Sequence, residues 1–438
     1  MLGPVIVFAI VYAIIITEKV DKTILALIGA TIVLALHYVG YEEALHAIDL
    51  NVIFLLIGMM VIVAVLADTG VFEWLAISIA RVAKGNGLVI IMSFMALTAV
   101  LSAFLDNVTT VILIAPITIL LTQILELPTK PILIMEVIFS NIGGTATMIG
   151  DPPNIIIGSQ TTLTFNDFLF NMAPVVIIIM VVTLFILWLM WHRKFKTSDE
   201  AKVRIRHSHP EYAIIQKRTL HLALPIFVLV LVGFFFGGHI DLEPGIVALG
   251  GAMLMLGVTR VPVEHVTSRV EWGTILFFVG LFMLIASLEH NGVFEWAGLH
   301  LFDICGGDLW LTVLGILWFS ALASVVVDNI PLVIAMIPLV KTIIPIFAQQ
   351  MGLETSPELT HTLIEAPLFW ALALGACLGG NGSLIGASAN VVVAQMASRN
   401  GMPISFMGFT KYGFPFMLLS LLICTGYIYL RYFYMRGM

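Results

Sequence analysis

Carboxylates and amides gather at four places in a chain otherwise short of polar side chains. Asp106-Asn107, with Thr109 and Thr110 just after, lies inside the apolar stretch 87–122, and Asp328-Asn329 lies inside 309–349. Two glycine-rich runs complete the set. The first is Asn141-Ile142-Gly143-Gly144-Thr145-Ala146-Thr147-Met148-Ile149-Gly150-Asp151-Pro152-Pro153-Asn154. The second is Cys377-Leu378-Gly379-Gly380-Asn381-Gly382-Ser383-Leu384-Ile385-Gly386-Ala387-Ser388-Ala389-Asn390. Ionisable side chains inside a bilayer are expensive and mark ion or substrate paths. Glycine and proline cannot sit in a lipid-facing helix without freeing backbone groups. Each run therefore reads as a helix broken within the membrane and facing protein or a watery cavity, the usual address of a transport site.

The elements that must position these residues are membrane spans. The chain has 438 residues, 60% hydrophobic and 11% charged, with a mean hydropathy of +1.08. Soluble domains carry about 25% charged residues. Apolar segments fall at about 2–17, 22–39, 51–68, 87–122, 130–158 and 170–192, then at about 219–236, 245–258, 272–289, 309–349, 367–395 and 412–432. Most suit a hydrocarbon layer of about 30 Å. The stretch 87–122 is too long for one span and is either two spans or a re-entrant hairpin with Asp106-Asn107 at its tip. Met1 to Thr17 lacks a basic leader and a small-residue cleavage site, so it reads as a first span.

The two halves repeat each other. Gly70-Val71-Phe72-Glu73-Trp74 returns as Gly292-Val293-Phe294-Glu295-Trp296, and Asp106-Asn107 with Pro116 returns as Asp328-Asn329 with Pro338, both at an offset of 222. The glycine-rich runs match at an offset of 236. Such a period defines the architecture. The expected fold is an all-α polytopic membrane protein of two inverted-topology repeats, each about five transmembrane helices plus a re-entrant hairpin and a broken helix. Residues 1–192 form the first repeat (hairpin 87–122, broken helix 130–158), 193–218 a basic linker, and 219–438 the second repeat (hairpin 309–349, broken helix 367–395).

Charge sets the expected orientation. An odd number of spans per half gives the halves opposite orientation, so the linker with Arg193, Lys194, Lys196, Lys202, Arg204, Arg206, Lys217 and Arg218 belongs on the cytoplasmic side. That placement leaves only Lys341, Arg431 and Arg436 of the 20 basic residues outside. Both termini are then outside a plasma or inner membrane.

The candidate site comprises Asp106, Asn107, Thr109, Thr110, Gly143, Gly144, Thr145, Thr147, Asp151, Asn154, Asp328, Asn329, Gly379, Gly380, Asn381, Ser383 and Asn390. Na+ is a candidate metal near Asp106 and Asp328. The alternative role for the aspartates is N-capping, most directly for Asp151 ahead of Pro152; its counterpart in the second run is Ala387. Two helix N-termini per half contribute about +1 of partial charge at roughly +0.5 each. One ionised aspartate per half nearly cancels that. No Lys or Arg lies in the four motifs, so burial disfavours the ionised carboxylates until a proton or metal cation compensates. Coupling to H+ or Na+ follows. His37, His46, His239, His265, His290 and His300 lie near predicted span ends, and Trp74 and Trp296 suit an interfacial belt.

These motifs resemble the ArsB/NhaD branch of the ion transporter superfamily, which carries a citrate-transporter-like domain and includes arsenical-pump membrane proteins and the melanosomal P protein. The resemblance spans nearly the whole chain, and Gly-Asp-Pro-Pro-Asn at 150–154 is its most specific part. It implies inverted repeats, re-entrant hairpins, a homodimer and an elevator-like movement. It also implies that Asp106, Asn107, Asp328 and Asn329 occupy the substrate- and ion-binding tips. The sodium-dicarboxylate branch has a Ser-Asn-Thr tip; Asp in place of Ser puts dicarboxylate transport in doubt.

Three functional readings follow. The first is secondary transport of a small inorganic solute or anion, with arsenite or antimonite efflux as the leading case. The second is Na+/H+ antiport of the NhaD kind. Sodium-coupled di- or tricarboxylate transport ranks below both. An enzyme is not expected, since no His-Glu-x-x-His or Gly-x-Ser-x-Gly motif occurs. No phosphate loop is present, which leaves ATP drive to a separate ATPase partner. Three dispersed cysteines suggest neither a disulfide framework nor a zinc site. No cofactor and no nucleic acid are implied; membrane lipid is the surrounding partner.

Overall fold

The fold is described from a computed structural model covering residues 2–435 except 18, 194, 196 and 239, with only the backbone described at 201, 204 and 206. Lys194, Lys196, His239 and Arg436, which entered the readings above, lie outside the described residues, as do the side chains of Arg204 and Arg206.

Eighteen α-helices of nine or more residues carry the architecture among the described residues, nine on each side of the linker. The first nine are α1 (Leu2–Ile16), α2 (Lys22–Ala35), α3 (Leu50–Ala67), α4 (Val71–Val82), α5 (Gly87–Ser102), α6 (Asn107–Ile124), α7 (Thr129–Gly144), α8 (Pro152–Gln160) and α9 (Ala173–Trp191). The second nine are α10 (Lys217–Gly237), α11 (Pro244–Thr259), α12 (Trp272–His290), α13 (Val293–Ile304), α14 (Leu309–Ser324), α15 (Asn329–Gln350), α16 (Ala366–Gly379), α17 (Ser388–Arg399) and α18 (Phe406–Ile428). Each element of the first set has its counterpart nine places on. Among the described residues eight helices are long and apolar enough to cross a membrane, or nine if α13 and α14, bent by 118°, count together.

In the long spans, apolar side chains at nearly every position leave no amphipathic stripe, so burial is set by position in the bundle, whereas the short α4 buries Phe72, Ala76 and Ala80 along one face. Every residue of α16 is buried, and so is α7 from Ile132 to Gly144. By contrast α9 exposes Ile177, Ile178, Val181 and Phe185, and α10 exposes Leu224, Val228, Leu229 and Val232. A surface this apolar fits lipid, not water.

Close backbone contacts lock the bundle. Gly58 on α3 meets α11 so tightly that a Cβ there would lie 2.4 Å from the Ala248 carbonyl carbon; Gly280 on α12 meets Ala26 on α2 with 2.8 Å. Both residues of the first contact recur 222 positions away in the second. The contact therefore occurs twice with the roles of the halves exchanged. Small residues permit such approach where lipid offers no hydrophobic drive between helices.

The apolar stretch 87–122 is two helices, α5 and α6, joined by the turn 103–106, and 309–349 is likewise α14 and α15 around 325–328. Asp106 caps α6 through the Thr109 N–H at 2.8 Å, and Asp328 caps α15 through the Ile330 N–H at 3.3 Å. Each satisfies a backbone donor that helix geometry leaves open. The linker is docked: the Ile215 N–H donates to the Thr69 carbonyl at 2.9 Å, and the Thr197 hydroxyl to the Gly85 carbonyl at 3.0 Å. Cys305, Cys377 and Cys424 are free.

Candidate functional site

Helix α7 stops at Gly144 and α8 starts at Pro152; α16 stops at Gly379 and α17 starts at Ser388. The intervening loops fold back on themselves. A Cβ at Gly144 would lie 2.6 Å from the Gly150 carbonyl oxygen, and one at Gly380 2.9 Å from that of Gly386, so only glycine closes these loops.

Polar side chains brace each break. Asn154 donates to the carbonyls of Thr145 at 3.2 Å and Thr147 at 2.9 Å, while Asn390 donates to those of Gly380 and Ser383, both at 2.8 Å. The Thr147 hydroxyl donates to the Ala103 carbonyl, and the Ser383 hydroxyl to the Val325 carbonyl. Each break is thereby tied to the turn of its own helix pair. The halves meet at Asn141. It accepts from Asn107 at 3.1 Å and donates to Asn381 at 2.9 Å and Asn390 at 3.0 Å. Inside a bundle each such group left unsatisfied costs about 1–3 kcal/mol, and Asn381 Nδ2 is one that stays buried without a partner.

This frame brings four helix N-termini to one cavity of about 300 Å³. Asp106 and Asn107 of α6, Asp151 and Pro152 of α8, Asn329 of α15, and Ala387 and Ser388 of α17 all line it. Lys22, Glu271, Thr274, Leu56 and Met60 complete its wall. Asp151 is 1% exposed; its Oδ1 lies 3.5 Å from Asn329 Nδ2, and its Oδ2 has no partner. Asp151 occupies the N-cap position of α8 without a capping bond, so the capping reading does not describe it.

Asp328 faces a neighbouring cavity of about 360 Å³ that shares Lys22 and Ser388 with the first. Lys22 Nζ lies 2.7 Å from Asp328 Oδ2 and 2.9 Å from Ser388 Oγ, with the Phe277 ring 5.0 Å away. The expectation that no base pairs with the tip carboxylates therefore fails at Asp328. Its partner comes from 306 residues away in the chain, outside the motifs. Asp106 has only the Thr109 hydroxyl and N–H, and no base pairs with it or with Asp151 among the described residues.

The charges can be weighed. Six N-termini, those of α2 and α12 included, contribute about +3 at roughly +0.5 each, and Lys22 adds one unit. Asp21, Asp106, Asp151, Glu271 and Asp328, all ionised, exceed that by about one unit. The earlier cancellation within each half omitted Lys22, Asp151 and Glu271. The region as built accepts about one further positive charge.

Of the residues named from sequence, Asp106, Asn107, Asp151 and Asn329 line the cavity and Asp328 borders it. Gly143, Gly144, Thr145, Thr147, Asn154, Gly379, Gly380, Asn381, Ser383 and Asn390 form the frame behind it. Thr109 holds Asp106, and the Thr110 hydroxyl is buried without a partner. Lys22 and Glu271 lie outside the four motifs. Glu271 stands 222 residues after Asp49, and both directly precede a span.

A polytopic helical bundle with broken helices and buried carboxylates around a shared cavity defines a membrane transporter. The profile of the citrate transporter family, CitMHS, matches residues 12–364, and the chain belongs to that family. It is 39% identical over 433 residues to a 46 kDa membrane protein of Mycobacterium leprae and 41% identical over 434 residues to an uncharacterized transporter of Mycobacterium tuberculosis, covering 98% of each and of itself. It is 35% identical over 509 residues to the P protein of Homo sapiens, covering 97% of this chain and 59% of that one. The resemblance to the P protein thus stands, while the ArsB/NhaD branch rests on the motifs alone.

Proposed function

We propose that this chain is a secondary active transporter in which H+ or Na+ is coupled through Asp106 and Asp151, and in which the solute enters the cavity neutral or with its charge compensated. The single observation that carries this reading is the excess of carboxylates over bases in a cavity where Asp151 Oδ2 is buried and unpartnered. Buried charge of one sign calls for a proton or a cation. A free polyanion meets more carboxylates than bases. Citrate, the solute in the family's name, suits this cavity with its charge offset by cations. Neutral trihydroxides of arsenic or antimony suit it without such help and remain the first solutes to try. The two exchanged glycine contacts favour two inverted repeats, and the basic linker favours a cytoplasmic 193–218 with both termini outside. Movement of the helix pairs and broken helices against α2, α3, α11 and α12 is the elevator component of the reading.

A second reading, Na+/H+ antiport, is favoured by the same unpaired carboxylates, since a cation and a proton can alternate there with no other solute. Purified protein in liposomes separates the two. Imposed pH and Na+ gradients should drive arsenite, antimonite or citrate. Na+-dependent proton movement with no flux of these solutes selects antiport, and no movement of any of them refutes both readings.

A further inference from the structure

The two tips carry the same Asp-Asn pair in different surroundings. Asp106 meets only Thr109, whereas Asp328 meets the Lys22 ammonium at 2.7 Å, with Ser388 Oγ 2.9 Å from both the ammonium and the carboxylate. The repeat explains the asymmetry. The position equivalent to Lys22, 222 residues on, is Pro244, which has no charge to offer. Asp21 and Glu243 precede them as N-terminal residues of α2 and α11, so the register is secure. The ammonium is also held in place. It sits over the buried Phe277 ring, and its side chain spans from α2 to the tip of α15 and the start of α17.

We propose that Lys22 is a tethered cation that fills the cation position of the second tip in the conformation described, leaving the first tip, with Asp106 and Asp151, to bind the coupling ion. The inference rests on the transporter reading above and makes the two halves chemically inequivalent. Asp328 is then a positioning residue: its charge holds Lys22, and through it α15 and α17 against α2. Lys22 also confines cation binding in this conformation to the first tip, because the second carboxylate is already paired. A charge pair removed together leaves no orphan, whereas one removed alone strands a partly buried charge.

The test is a double-mutant cycle on the full-length protein: wild type, Lys22→Met, Asp328→Asn and both together. Thermal midpoints are read in detergent. Na+ uptake with radioactive Na+ and internal pH with a dye are read in liposomes under imposed gradients. Each single substitution should lower the midpoint and cut gradient-driven flux by at least about tenfold, and the double variant should recover both. A double variant as stable as wild type but as inactive as Asp328→Asn overturns the proposal, because Asp328 then binds the coupling ion itself. Unchanged midpoint and flux in Lys22→Met overturn it equally. If the wild type shows no gradient-driven flux, the transporter reading fails, while the midpoints still decide the pair: recovery in the double variant supports it and additive losses refute it.

Discussion

Replacing Gly143 by alanine tests the physical claim on which the site's geometry depends. A Cβ at Gly143 would stand 2.0 Å from the Ala99 carbonyl oxygen and 2.5 Å from the Ala99 carbonyl carbon and Cα. These are backbone atoms of α5, which cannot rotate away as a side chain can. Ordinary contact begins at 3.4 Å, so α5 and α7 must separate by roughly 1.4 Å along that line. Overpacking of this kind costs about 1–3 kcal/mol and occasionally more. The separation would also pull the turn at Ala103 away from the Thr147 hydroxyl, displacing Asp106 relative to Asp151. The equivalent change at Gly379, with 2.5 Å to the Ala321 carbonyl oxygen, should be milder. Gly250 and Gly257 on α11 have nothing within 4 Å and serve as controls, where alanine should hold or raise the midpoint through its better helix propensity. The assay is the thermal midpoint in detergent with flux in liposomes. Gly143→Ala matching Gly250→Ala in both would refute the reasoning.

Two further substitutions separate framework from site. Asn141→Ala strands the amides of Asn107, Asn381 and Asn390 at once and should lower stability by several kcal/mol at about 1–3 kcal/mol per unsatisfied group, checked by the midpoint; a wild-type value would mean these amides find other partners. Glu136 on α7 accepts from Thr118 at 2.7 Å and Thr98 at 3.4 Å, and its Oε2 is buried without a partner. Glu136→Gln keeps the acceptor and removes the uncompensated charge, so stability should hold or rise and flux should stay near wild type; lost flux at wild-type stability would place Glu136 on a proton path.

Much of this architecture was legible because it is written twice. The offset of 222 placed Asp328-Asn329, Gly292 and Pro338, and both Gly70 and Gly292 sit at helix starts with positive φ, 80° and 68°. The change to 236 at the glycine-rich runs has a structural source in the longer α15 and the connection from Met351 to Glu365, where the first half has only Leu125 to Pro128. The direction a polar side chain takes was not legible. Asn154, Thr147, Asn390 and Ser383 look like ligands in sequence, yet Asn154 and Asn390 spend their donors on carbonyls of the glycine breaks, and Thr147 and Ser383 on carbonyls of the helix-pair turns. Lys22 was hidden for a different reason. Nothing local at residue 22 announces a partner at residue 328, and a base at a span boundary reads as a topology marker. Glu271 lost its meaning in the same way, beside Arg269 at a span start.

The central claim is that the carboxylates of this cavity bind the coupling ion, and it is tested most directly by comparing solute flux in wild type, Asp106→Asn and Asp151→Asn under separate pH and Na+ gradients. The account predicts that both variants fold with near-normal midpoints and lose gradient-driven accumulation by at least about tenfold, the size of an ordinary coupling free energy. Wild-type accumulation with unchanged dependence on both gradients in the two variants would contradict it.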